Sequence, residues 1–114
     1  MKTLVYLLSY LRSSSKRLKP LPEDIRQKIR ILFKEDHITA MSIISIFLLN
    51  NLHLNIARVI RCIIFLSDGN INTLKKHLEA AKSDARDVIL WAEYENLEGT
   101  DLKRIRDFSE PFNH

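Results

Sequence analysis

Between Glu23 and Glu110 the chain contains no proline and only two glycines, Gly69 and Gly99. The three prolines, Pro20, Pro22 and Pro111, lie outside that stretch. A backbone with so few turn residues passes readily from helix to helix, whereas a sheet protein of this length needs frequent Gly/Pro turns. The predicted fold class is therefore all-α, a compact single-domain bundle of five to six short helices. A chain of 114 residues suits one domain, residues 1–114, and is long enough to bury a core without staples. Its 46% hydrophobic and 28% charged residues place it with globular rather than disordered chains. Cys62 is the only cysteine, which excludes an intrachain disulfide and a cysteine-based metal cage. A lone thiol suits a reducing, cytoplasmic location.

Apolar spacing predicts the elements. Leu4, Leu7, Leu8 and Leu11 fall at i, i+3, i+4 and i+7, the stripe of an amphipathic helix over 2–12. A basic loop follows to Pro22, so residues 1–22 form an N-terminal helix and loop ahead of a helical core, residues 23–114. Lys2 before an apolar run also invites a signal-peptide reading, but Ser9 interrupts the run and Arg12-Ser13-Ser14-Ser15 offers no small-x-small cleavage site. Pro22 suits the first turn of a second helix, where Glu23 and Asp24 complement the dipole and Ile25, Ile29, Leu32 and Phe33 form the buried stripe.

A third helix, capped by Asp36 or Thr39, runs to about Leu49 and is apolar on most sides. Such a helix belongs in the middle of a bundle or at a subunit contact, and it is too short for the roughly twenty residues of a membrane span. The fourth, Ile56–Leu66, has Asn55 as its expected cap and Arg58 and Arg61 expected to face solvent. Helices three and four are predicted to form the centre. Their β-branched residues make a strand the rival reading, but alternation is absent and both runs exceed usual strand length. Ser67-Asp68-Gly69-Asn70 predicts a turn, with Gly69 left-handed and Asn70 capping a fifth helix that carries Ile71, Leu74, Leu78 and Ala81. Asp84, with Asp87 three residues on, predicts the start of a sixth helix over about Ala85–Glu95. Asp101–Asp107 is expected as a last helical turn before the tail Phe108–Phe112.

No residue pattern supplies catalytic machinery. His37, His53, His77 and His114 lack zinc-ligand spacing, and Cys62 sits in an apolar helix rather than a thiolate-stabilising surrounding. Ser13-Ser14-Ser15 has no nucleophile elbow, and no phosphate-binding glycine pattern occurs. The most enzyme-like cluster is Asp84, Asp87, Glu93 and Glu95 around Trp91 and Tyr94. Capping and helix-face charge account for Asp84 and Asp87, and nothing adds a nucleophile. The chain is expected to be no enzyme, with no metal and no cofactor.

Charge is uneven. Residues 1–34 hold nine basic residues against two acidic, a net +7, while residues 35–114 carry a net −3. The candidate binding surface is Arg12, Lys16, Arg17, Lys19, Arg26, Lys28, Arg30 and Lys34. Nucleic acid, an anionic membrane or an acidic protein could meet it. The only aromatic between Arg12 and Lys34, Phe33, falls on the core stripe, which weakens a base-reading role. A second candidate set is Asp84, Arg86, Asp87, Trp91, Tyr94, Arg106, Asp107, Phe108 and Phe112. It is expected to form an Arg–carboxylate network pinning the Phe108–Phe112 tail over the sixth helix. The rival is a frayed tail free to engage a partner.

The residues Gly69-Asn70, Leu74, Ala81-x-x-Asp84-x-Arg86-Asp87-Val88, Ala92-Glu93-Tyr94 and Arg106-Asp107-Phe108 with Pro111-Phe112 carry a resemblance over the C-terminal half. The pattern resembles a group of short uncharacterised bacterial proteins with a D-x-R-D-V, A-E-Y ending. It implies a bacterial helical protein and brings no activity with it. The favoured expectation is a non-enzymatic protein-binding module of regulatory, adaptor or inhibitor type, with a homodimer possible through residues 38–66. The alternative is a nucleic-acid-associated regulator using the basic face of residues 12–34, and a helical enzyme around Asp84–Tyr94 ranks third.

Overall fold

Helix dominates the computed structural model, which describes residues 19–97 and 101–113. The predicted helix over 2–12, and with it Arg12, Lys16 and Arg17, lies outside the described residues. Helix α1 spans Glu23–Phe33, a 3₁₀ turn spans Lys34–Asp36, and α2 spans His37–Asn50. A second 3₁₀ turn, Leu52–Leu54, leads to α3, Ala57–Ser67; α4 is Ile71–Ser83 and α5 is Ala85–Glu93. Strands β1, Tyr94–Leu97, and β2, Asp101–Arg104, pair antiparallel with Tyr94 opposite Arg104 and Glu95 opposite Lys103. The run from α1 through the 3₁₀ turn to α2 is helical throughout and turns at Lys34, whose φ is 50°. Counted as one bent helical segment, it leaves four such segments among the described residues rather than five to six short helices.

The hairpin replaces the helical turn expected over Asp101–Asp107. A single helical turn is costly to nucleate by itself. Here the returning chain finds a better partner: it pairs with β1, and beyond β2 the N–H groups of Ile105 and Arg106 donate to the Glu93 carbonyl at 2.7 and 3.2 Å. Tyr94 is already extended at φ −116°, ψ 148°, which ends α5 two residues earlier than the sequence suggests.

Local chemistry explains the other boundaries. The Pro22 carbonyl accepts from Ile25 and Arg26 at 3.1 Å and starts α1. Asn70 caps α4, its Oδ1 accepting from the Thr73 N–H at 2.9 Å, and Asp84 caps α5 through the Arg86 N–H at 3.0 Å. Gly69 is left-handed at φ 76°, and a Cβ built there would lie 2.5 Å from the Leu32 carbonyl oxygen. The α3–α4 turn therefore presses its backbone onto α1, and only glycine fits. Two expected caps do not form. Asn55 instead reaches the Lys19 carbonyl with its Nδ2 at 3.4 Å, and neither Asp36 nor Thr39 caps α2, which continues out of the 3₁₀ turn; His37 Nδ1 donates to the Lys34 carbonyl at 2.7 Å.

The central rod is α3. It packs against both α4 and α5 and buries Val59, Ile60, Arg61, Cys62, Ile63, Ile64 and Ser67. Helix α2, expected beside it in the middle, lies instead at the edge. It rests mainly on α1 and buries Ala40, Ile44, Leu48 and Leu49. The core is completed by Ile25, Ile29 and Phe33 from α1, Leu74, Leu78 and Ala81 from α4, Val88 and Ala92 from α5, and Phe108 from the tail.

Candidate functional site

Two features stand out: a buried charge clamp that holds the tail, and an uncharged helix face that nothing covers among the described residues. The clamp starts from Glu93, the last residue of α5, whose side chain is fully buried. Arg58 of α3 grips it with both ends of its guanidinium, Nε to Oε2 at 2.9 Å and Nη2 to Oε1 at 2.7 Å. Arg104 of β2 adds a third bond to Oε1 at 3.1 Å, and the Phe108 N–H donates to Oε2 at 3.1 Å. Burial by itself would raise the Glu93 carboxyl. The Arg58 bonds, the Phe108 amide and the charges of Arg58 and Arg104 outweigh it, holding the group below the usual carboxylate range.

A second carboxylate repeats the arrangement one turn along α3. Arg61, only 6% exposed, pairs with Asp24 of α1 through Nε at 2.9 Å and Nη2 at 3.1 Å. Its Nη1 donates to the Phe108 carbonyl at 3.1 Å, and the Phe112 N–H donates to Asp24 Oδ2 at 3.0 Å. Phe108 is thus held by its N–H from Glu93 and by its C=O from Arg61. Burial pushes Asp24 up, but Arg61 and the Phe112 amide prevail and its carboxyl stays below its ordinary value. Aromatic contacts close the assembly: Phe65 to Phe108 at 5.2 Å, Phe108 to Phe112 at 5.8 Å, the Lys28 ammonium 5.4 Å from the Phe112 ring centre and Arg106 4.5 Å from that of Phe65.

This geometry overturns the expectation that Arg58 and Arg61 face solvent. Desolvating a guanidinium is costly alone, but a bidentate carboxylate offsets that cost, and Glu93 and Asp24 supply one each. From the predicted C-terminal set, Arg106, Asp107, Phe108 and Phe112 belong to the tail assembly. Arg106 also bonds the Ala92 carbonyl at 3.0 Å and Glu95 at 3.2 Å, while Asp107 accepts from Arg104 and from the Ser109 N–H. Asp84 and Arg86 pair with each other at the start of α5, Asp87 is exposed, Trp91 is half exposed and edge-on to His77 at 6.0 Å, and Tyr94 opens β1. The sequence reading did not place Asp24, Arg58, Arg61, Glu93 or Arg104 in this assembly: Glu93 stood in the acidic cluster around Trp91 and Tyr94, Asp24 at the helix dipole, and Arg104 was not named. One signal was present: Arg58 and Arg61 interrupt an otherwise apolar helix, and such charges need partners.

The clamp is internally satisfied. Its charged groups are occupied with one another, and the Cys62 thiol, 3.8 Å from Glu93, is pushed up to about 12 by burial and by the Glu93 charge. Such a thiol stays protonated and unreactive. Among the described residues no group of three or more His, Cys, Asp or Glu side chains is placed to hold a metal ion. The described part of the basic surface is partly neutralised. Arg26 and Arg30 both pair with Glu23, which they hold below its ordinary value, and Lys28 lies over Phe112; Lys19 and Lys34 are exposed.

The second feature is the outward side of α2. None of its fourteen residues is Asp, Glu, Lys or Arg. Ile38 is 68% and Ile46 43% exposed, with Thr39, Ser42 and Asn50 beside them in solvent. Past its C-terminal end, Leu52 and Ile56 are exposed as well. A solvated helix face ordinarily carries charge, so the exposed Ile38 and Ile46 on this uncharged side make it the candidate docking surface. No described helix is long and apolar enough to cross a membrane. No protein-family model, curated protein or solved structure matches this chain.

Proposed function

We propose that this chain is a non-enzymatic protein-binding module, of regulatory, adaptor or inhibitor type, that docks through the outward face of α2. The observation that carries the reading is the pair of exposed isoleucines, Ile38 and Ile46, on a helix without a charged residue in its sequence. Apolar surface left in water is a standing gain for any partner that covers it, about 25 cal/mol for each Å² removed. The nucleic-acid reading draws less support, because Arg26 and Arg30 already share Glu23. A single buried thiol fits a reducing, cytoplasmic setting.

The test is capture on the immobilised chain, compared with an Ile38→Glu/Ile46→Glu variant whose fold is checked by circular dichroism. Proteins retained by the wild type and lost by the variant, with little dependence on salt, support the reading. Retention that is equal for both, or steeply salt-dependent retention of nucleic acid, refutes it.

A further inference from the structure

We infer that the occupant of the α2 face is a second copy of this chain, packed antiparallel across a two-fold axis that passes at Ser42. The inference rests on reading α2 as the docking face and adds what docks there. Ile38, Ser42 and Ile46 follow one another at i, i+4 and i+8, so they form a single row along the helix, and all three are exposed. The row is symmetric about its middle. Each isoleucine lies four residues, roughly 6 Å of helix rise, from Ser42. Thr39 and Ser45 flank Ser42 at three residues on either side, and Met41 and Ile43 at one.

A two-fold contact places the same patch against itself, so it must be self-complementary. Rotating α2 about an axis at Ser42 sets Ile38 of one copy beside Ile46 of the other, and Thr39 beside Ser45. The small Ser42 side chains meet at the crossing, where they let the two helices approach closely. Charge points the same way. Each copy carries a net +4, so a self-contact on a charged face would set like charges together, whereas α2 contains no Lys, Arg, Asp or Glu to repel its image. Size sets the strength. A fourteen-residue helix is about 21 Å long. One such pair covers less than the roughly 1,600 Å² of a standard stable interface. An interface of that size is a weak one, so the dimer is concentration-dependent.

The test uses the full-length chain. Sedimentation from about 1 to 500 µM should show monomer giving way to dimer, and Ile38→Glu/Ile46→Glu should weaken association at least about tenfold. Under mild oxidation Ser42→Cys should form a disulfide-linked dimer, while Asn50→Cys, far from the axis in the antiparallel register, should not. Cys62 is buried and stays out of the reaction. A photoreactive benzoylphenylalanine at position 46 should join to residues around Ile38 of another copy. A monomer at every concentration overturns the inference, as does a photoproduct within residues 1–18 of the same chain or Asn50→Cys cross-linking as fast as Ser42→Cys. A monomeric chain whose Ile38→Glu/Ile46→Glu variant still loses capture of another protein defeats the second copy but leaves the docking face standing. If that variant captures as the wild type does, both fail.

Discussion

Helices α2 and α3 reverse the usual association of apolar with inside and charged with outside. Helix α2 has no charged residue and lies at the edge with Ile38 and Ile46 in water; α3 carries two arginines and is the central rod. The difference lies in what the rest of the chain offers each. Arg58 and Arg61 find Glu93 and Asp24 at bidentate distance, and the tail supplies the Phe108 N–H and C=O to complete both pairs. The outer side of α2 is offered no such cover by any described residue. Burial of a helix is thus decided by its complement and not by its own composition alone.

The largest effect is expected on removing the tail. Deleting residues 106–114 takes away the Phe108 ring and the tail's bonds to Glu93, Asp24 and Arg61. The expected loss is about 4 kcal/mol, judged from aromatic truncations in cores, and a melting temperature lower by roughly 10 °C or more. An unchanged thermal transition would mean that the tail is not clamped. Next comes Glu93→Gln, which keeps the shape and removes the charge between Arg58 and Arg104. Breaking a buried pair costs about 3 kcal/mol at the lower end of its range, and the lower end applies because Arg58 and Arg104 are each about one-third exposed. Urea unfolding measures it; a loss under about 1 kcal/mol would place Glu93 among surface pairs.

Acid should act on the same two carboxylates. Glu93 and Asp24 are both held below their ordinary values in the folded chain. Their contribution is therefore fully present above the ordinary carboxylate range and is lost as pH falls through it toward the folded values. The urea midpoint should drop between about pH 5 and 3, and less steeply in Glu93→Gln. Stability that rises on acidification would contradict the clamp. The smallest effect is expected at the other helix: Ile38→Glu/Ile46→Glu should change fold stability by no more than about 0.5 kcal/mol, because both positions face water. A large loss there would show that these isoleucines pack within the fold.

Features set by neighbouring residues were legible in the sequence, and those set by distant ones were not. The caps at Asn70 and Asp84 and the left-handed Gly69 were readable, because a cap is set by residues within one turn of it. The expectation of an Arg–carboxylate assembly at the tail named Arg106, Asp107, Phe108 and Phe112 but set Asp84 and Asp87 where Glu93 and Asp24 stand. Glu93 lies 35 residues from Arg58, and Asp24 lies 37 from Arg61, so no local spacing marks either pair. The hairpin escaped for a related reason: β1 and β2 are four residues each, and their pairing is what makes them strands.

A mostly helical chain, the ends of several helices and the stripes that turn inward are all readable from residue order. Those properties follow from backbone propensity, periodicity and contacts within a turn or two. Long-range packing makes α3 and not α2 central, sets two arginines within or beside the core, and leaves an uncharged helix face outward among the described residues. Each of these depends on which distant groups meet. Desolvating a charge is tolerated only where a partner is in place, and an apolar face stays exposed when the remaining chain has already filled its core elsewhere.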